Sequence, residues 1–182
     1  MRAQTVYKKA FVFDFDECVA ITDAKIHVYR NGVHVKALNS KEYNFYEKHP
    51  KDKLNFSEFN NGELILAAKK YKMWPVIRNI SNAIKTDRST SEIYILTGRN
   101  SVVKSYIYEF LKRHGIEIDI DNIITVGDNI GKVSISEEKR KKLTELVNTY
   151  DKVFFFDDDP KNIALANSIK GVKTRLVENY VK

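Results

Sequence analysis

Residues 11–16 read Phe-Val-Phe-Asp-Phe-Asp, an apolar β-forming run that ends in two carboxylates one residue apart. A buried strand takes Phe11, Val12 and Phe13 readily, but it has no packing use for Asp14 and Asp16. Like charges so close cost free energy unless a cation or a shared proton compensates. Alternate residues of a strand share a face, so the strand tip aims both acids at one point. The pattern recurs. Residues 153–160 read Val-Phe-Phe-Phe-Asp-Asp-Asp-Pro, and Ile93-Tyr94-Ile95-Leu96 stops in Thr97-Gly98-Arg99. Three apolar strands, each ending in polar reactive groups, describe an open α/β sheet whose site lies at the carboxyl ends of its strands.

Periodicity supplies the rest of that sheet. Asn31-Gly32 between alternating segments at 25–30 and 33–36 is a β-hairpin signal, with Ile26, Val28, Val33 and Val35 expected on the buried sides. Residues 39–75 read as a short helix near 40–48 followed by irregular structure. Pro75 suits a first helical turn, and Val76, Ile77, Ile80, Ala83 and Ile84 follow at helical spacing. Asn100 caps a helix to about Arg113 that Gly115 stops, a strand follows at 123–126, and Ser136 caps a helix to about Tyr150. A helix from Pro160 and a strand at 172–177 complete the alternation, which predicts a doubly wound, mostly parallel sheet.

In these residues the chain resembles the haloacid dehalogenase superfamily of phosphotransferases. The four motifs fall in order: Asp14-Phe15-Asp16, Ile95-Leu96-Thr97-Gly98-Arg99, a lysine best matched by Lys139, and Asp157-Asp158. The resemblance implies a Rossmann-like sheet and an aspartyl-phosphate mechanism. Asp14 would attack phosphorus, and Asp16 would protonate the leaving oxygen, helped to stay protonated by its neighbour's charge. Thr97, the Gly98 amide and Lys139 would hold phosphoryl oxygens. Mg²⁺ would bind the Asp14 carboxylate, the Asp16 carbonyl and Asp158, with Asp157 in support. Lys132, Lys141 and Lys142 stay open as alternatives to Lys139, and Asp128 as an alternative fourth-motif acid. Asp159, before Pro160, is expected to cap the following helix. Two residues depart from the common pattern: Glu17 stands where glycine is usual, as in the branch resembling carboxy-terminal-domain protein phosphatases, and Cys18 replaces threonine.

Other motifs fail on inspection. Cys18 lacks the arginine six positions on that a cysteine phosphatase needs, and Ala24 is there. Gly127–Lys132 is one residue short of a P-loop, with Val133 in place of the hydroxyl residue, so no kinase is expected. His27, His34, His49 and His114 lack metal-ligand spacing.

The length of 182 residues and 43% hydrophobic content suit a single domain over 1–182, with a flap or small insert at about 20–75. No apolar run approaches a membrane span, so no membrane partner is expected. The lone Cys18 excludes an internal disulfide, and the expected location is the cytoplasm of a bacterial or phage-infected cell. The formal net charge of +7, densest at Lys139–Lys142, favours a polyanion. The insert is too small for a full cap domain, which leaves an open site. Together with the hairpin after the first motif, this is similar to the phosphatase half of phage-type polynucleotide kinase–phosphatases. The expectation is a Mg²⁺-dependent phosphomonoesterase acting on nucleic-acid ends. The rivals are a nucleotide or phosphoprotein phosphatase and a non-catalytic phosphate- or nucleic-acid-binding module.

Overall fold

The computed structural model describes residues 8–87, 90–129 and 133–178. The chain opens with β1 (Lys9–Phe13), β2 (Ala20–Ile21), β3 (Ile26–Arg30), β4 (Val33–Leu38), α1 (Ser40–Asn44) and β5 (Asp52–Asn55). Next come α2 (Gly62–Leu66), β6 (Lys69–Lys70), α3 (Trp74–Asp87) and β7 (Ser91–Thr97). Helix and strand then alternate through α4 (Lys104–Arg113), β8 (Ile123–Thr125), α5 (Ile135–Val147), β9 (Lys152–Asp157), α6 (Pro160–Asn167) and β10 (Val172–Leu176).

Five strands form a parallel sheet in the order β10-β9-β1-β7-β8. The predicted doubly wound α/β architecture is the one observed. β1 sits at its centre because both its faces are apolar. Phe13 faces one cluster with Ile95, Ile107, Phe110, Trp74 and Ile77, which brings α3 and α4 to that side. Ala10 and Val12 face the other cluster with Leu96, Phe155, Leu143 and Ala166, which brings α5 and α6 to the opposite side. Stacked pairs Phe11–Phe154 and Phe13–Phe156, with centroids 5.1 and 4.7 Å apart, run along the β1–β9 seam. The chain moves from β1 to β7 and β8, then crosses to β9 and β10. The winding therefore reverses beside β1, where an open α/β sheet leaves a crevice. Phe13 pairs with Ile95 and with Phe156, so the polar ends of all three strands arrive nearly level.

A three-stranded antiparallel sheet, β4-β3-β5, caps this end, and β2 pairs with β6 beside it. Asn31 and Gly32 have φ of 51° and 82°, the positive pair that a type I′ hairpin turn requires. The expected burial holds for β3 and fails for β4. Ile26 and Val28 are buried, but Val33 is 70% and Val35 47% exposed. Val28 pairs with Lys36 and Tyr29 with His34, which leaves Val35 as the extra residue of a bulge on an edge strand. β5, α2 and β6 lie in the stretch expected to be irregular. α5 begins earlier than expected: Ser134 occupies its N-cap position, and Ser136 lies in its first turn.

Candidate active site

The loop after β1 turns tightly because the Phe15 carbonyl accepts the amides of both Val19 and Ala20. Phe15 is fully buried, edge-on to Phe110. This pins the acids that flank it. Glu17 follows in the left-handed region at φ 56°, a conformation that costs an ordinary residue roughly 1–2 kcal/mol and glycine very little. The departure noted in the sequence thus falls at a position whose backbone suits glycine.

Asp14, Asp157 and Asp158 converge here, with carboxylate oxygens within 4.8 Å of one another. Lys139, buried on the first turns of α5, reaches across the sheet end and donates to Asp14 Oδ1 at 2.6 Å and Asp157 Oδ2 at 2.7 Å. Burial raises the Asp14 carboxyl to about 8 and the Asp158 carboxyl to about 9, the neighbouring acids adding to the rise and Lys139 opposing it. Burial alone would lower the Lys139 ammonium, but Asp14 and Asp157 outweigh it and hold the group above its ordinary range. Three carboxylates against one ammonium leave two negative charges uncompensated when all ionise. The donors are all oxygen. Charge and chemistry both suit a hard divalent cation such as Mg²⁺, held by Asp14, Asp157 and Asp158.

Asp16 points elsewhere. Arg99 Nε and Nη2 donate to its two oxygens at 2.8 and 2.7 Å in a buried bidentate pair. The same guanidinium donates to the Phe59 carbonyl and to Thr22 Oγ1, and it lies 4.7 Å from the Phe59 ring centroid. Asp16 Oδ1 also accepts the Thr22 hydroxyl, at 3.4 Å. Arg99 was quoted in the second motif without a role. Thr97 is buried and its Oγ1 accepts the Arg99 amide at 3.2 Å, while Gly98 and Arg99 line the cavity above the acids.

Two supporting residues were missed. Asn162, on the first turn of α6, donates to both oxygens of Asp157 at 3.0 Å, and the Asp159 amide adds a third bond at 2.8 Å. The available signal was a polar residue just inside a helix that starts at an acidic strand end. Asn44, at the end of α1, donates to Asp158 Oδ2 at 3.0 Å. Nothing local in the sequence links it to that acid. As expected, Asp159 caps α6 by accepting the Lys161 amide.

The described alternatives stand apart from the acid cluster, although Asp128 lines the same cavity. Asp128 is exposed and accepts the amide and hydroxyl of Ser101. Lys141 is exposed and paired with Glu138, and Lys142 is half-buried and paired with Glu145. Lys132 lies outside the described residues. Cys18 is buried with its thiol pushed up, first by burial and then by Asp14 and Asp157, which leaves it a weak donor to the Phe156 carbonyl. The Lys139–Lys142 run is not a free basic patch: Lys139 serves the acids, and Arg140 pairs with Glu137.

The cavity over the acids measures about 840 Å³ and lies between the sheet ends and the antiparallel cap. Among the described residues no helix is long and apolar enough to cross a membrane. No family model and no curated protein matches the sequence. Among solved structures, the chain is similar to the HAD domain of effector protein Lem4 from Legionella pneumophila. The identity is 18% and the TM-score 0.47, over 94% of this chain and 86% of that one. An inactive mutant of the same domain aligns with 16% identity and a TM-score of 0.49, over 93% and 85%.

Proposed function

We propose that the protein is a Mg²⁺-dependent phosphomonoester hydrolase of the haloacid dehalogenase type, acting through an aspartyl-phosphate on Asp14. The observation that carries this reading is the convergence of Asp14, Asp157 and Asp158 around Lys139 at the switch point of the sheet. Lys139 takes Oδ1 of Asp14, which leaves Oδ2 to attack phosphorus. The Lys139 ammonium then stands beside the incoming phosphoryl oxygens and opposes their charge. Bound among the three aspartates, Mg²⁺ would supply Lewis-acid stabilisation of the same oxygens. Asp16, carrying a proton on a lone pair that Arg99 and Thr22 leave free, gives that proton to the leaving oxygen, which departs as the alcohol. After the alcohol departs, Asp16 takes a proton from the water that attacks the aspartyl-phosphate. The Gly98 amide completes the oxygen cradle, with Thr97 bracing the loop.

We assign nucleic-acid ends as the substrate. The net charge of +7 and the cavity-lining Lys48 and Lys161 support this, and the Lys139–Lys142 run does not. The test is a Mg²⁺-dependent screen of nitrophenyl phosphate, 3′- and 5′-phosphorylated oligonucleotides, nucleotides and phosphopeptides, with Asp14→Asn as the control. Chelation and Asp14→Asn should each abolish turnover. Native-like turnover by Asp14→Asn would overturn the mechanism. Oligonucleotide ends reacting no better than nitrophenyl phosphate at low salt would overturn the substrate.

A further inference from the structure

The cap touches the acids at two points. Asn44 reaches Asp158 from α1, and the Phe59 carbonyl reaches Asp16 through Arg99. Between those anchors runs a chain of rings. Tyr43 meets Phe56 edge-on at 5.4 Å between centroids, and Phe56 meets Phe59 at 6.5 Å and 70°. All three are half-buried, and all three line the cavity, so the cap presents its own small core to the space above the nucleophile. A sheet that served only to cover the site would turn these rings inward. Arg99 already stands 4.7 Å from the Phe59 ring, so the rings left to receive another, edge or face, are those of Tyr43 and Phe56. Cations stand at the cavity lining as well, in Lys48 and Lys161, where they suit the phosphate that such a ring would carry.

We propose that the Tyr43–Phe56–Phe59 roof is a leaving-group subsite for phosphate esters whose alcohol bears a planar aromatic ring, in preference to aliphatic ones. This rests on the phosphomonoesterase reading and adds the class of leaving group to it. The ring of a nucleoside and that of a phenol share this chemistry.

The test compares benzyl phosphate with cyclohexylmethyl phosphate. Both leave as primary alkoxides of similar bulk, so a difference reads ring planarity and not hydrophobicity or leaving ability. The native protein should show a KM lower for the benzyl ester by roughly three- to tenfold, the worth of an aromatic pair beyond its buried area. Phe56→Leu and Tyr43→Leu should shrink that ratio toward one, while Tyr43→Phe retains it. Calorimetry with benzylphosphonate and cyclohexylmethylphosphonate reads the same preference without turnover, which covers variants that fold but lose activity; a cooperative melt identifies those that fold. A phosphonate preference in a protein that hydrolyses no ester would sink the phosphatase reading and keep the subsite. Ester hydrolysis with a ratio near one in the native protein would keep the phosphatase reading and overturn the subsite. A ratio unchanged in both leucine variants would overturn it too. Competition by adenosine 3′-monophosphate and by phosphotyrosine against nitrophenyl phosphate separates the sources. The tighter competitor identifies the ring, and no advantage of either over glycerol phosphate overturns the proposal.

Discussion

Gly127 offers a sharp test of how the second-motif loop is held. Its amide donates to the Arg99 carbonyl at 2.9 Å, directly after Val126 bonds to the Thr97 carbonyl. A Cβ added at Gly127 would stand 2.6 Å from the Arg99 carbonyl carbon and 2.7 Å from its oxygen, and nearer still to the Gly98 oxygen. These are backbone atoms with no rotamer to change. Restoring ordinary contact requires the loop to recede by about 1 Å, and a displacement of that size at a reacting centre costs on the order of 10²-fold in rate. Overpacking of this kind also costs about 1–3 kcal/mol of stability, or about 3–10 °C in melting temperature for a chain of this size. Gly127→Ala should therefore lower kcat for nitrophenyl phosphate about a hundredfold while the protein still melts cooperatively. Gly115→Ala is the control. Gly115 has φ of 80° with nothing within 4 Å of an added Cβ, so that change should cost stability and leave kcat alone. Gly127→Ala with kcat within about threefold of native would refute the argument that backbone contact at Gly127 sets the position of Arg99.

Three other outcomes are expected. Asn162→Ala removes both side-chain donors from Asp157 and should weaken Mn²⁺ binding about tenfold, measured by calorimetry or electron paramagnetic resonance. Lys139→Met strands Asp14 and Asp157 without their shared counter-ion, and should cost about 3–5 kcal/mol in chelator, with added Mg²⁺ recovering part of the melting temperature. In the cap, Arg30 holds the Asp52 carboxyl well below the usual range, helped by the Tyr46 hydroxyl and the His49 amide. A depressed folded pKa gives stability that is present above the unfolded value and lost as pH falls through the folded one. The cap should therefore resist protease at neutral pH and lose that resistance on strong acidification, whereas Asp52→Asn should be cleaved at neutral pH.

Strands β1, β7 and β9 of the parallel sheet were legible because each carries its own evidence: an apolar run with polar groups at its carboxyl end. Their helices were legible from spacing, as in the buried Val103, Ile107, Phe110 and Leu111. The cap was legible only as far as Asn31-Gly32. Strand β5, with residues Asp-Lys-Leu-Asn, has one apolar member and takes its place from pairing with β3, a contact no local pattern encodes. Val33 and Val35 misled for different reasons: Val35 is the extra residue of the bulge, and Val33, paired with Arg30, stands exposed at the hairpin tip. In the site, Asp14, Asp157 and Asp158 announced themselves by violating strand chemistry. Arg99 and Asn44 violate nothing where they stand in the sequence; their partners, Asp16 and Asp158, are set by the tertiary fold.

The placement of β1 has a consequence for biosynthesis. β1 leaves the ribosome before both of its neighbours, β7 and β9, yet it is the middle strand of the sheet, with Phe13 paired to Ile95 on one side and Phe156 on the other. Its hydrogen-bonding edges and the apolar faces of Phe11, Val12 and Phe13 stay unsatisfied until β9 has been made, which at cellular elongation rates takes on the order of ten seconds. Pairings so distant in sequence also fold slowly once available. The acid cluster closes last, when Asp157 and Lys139 meet Asp14. A nascent chain stalled before β9 would be sticky and would lack the assembled acid cluster, and so would depend on holdase protection.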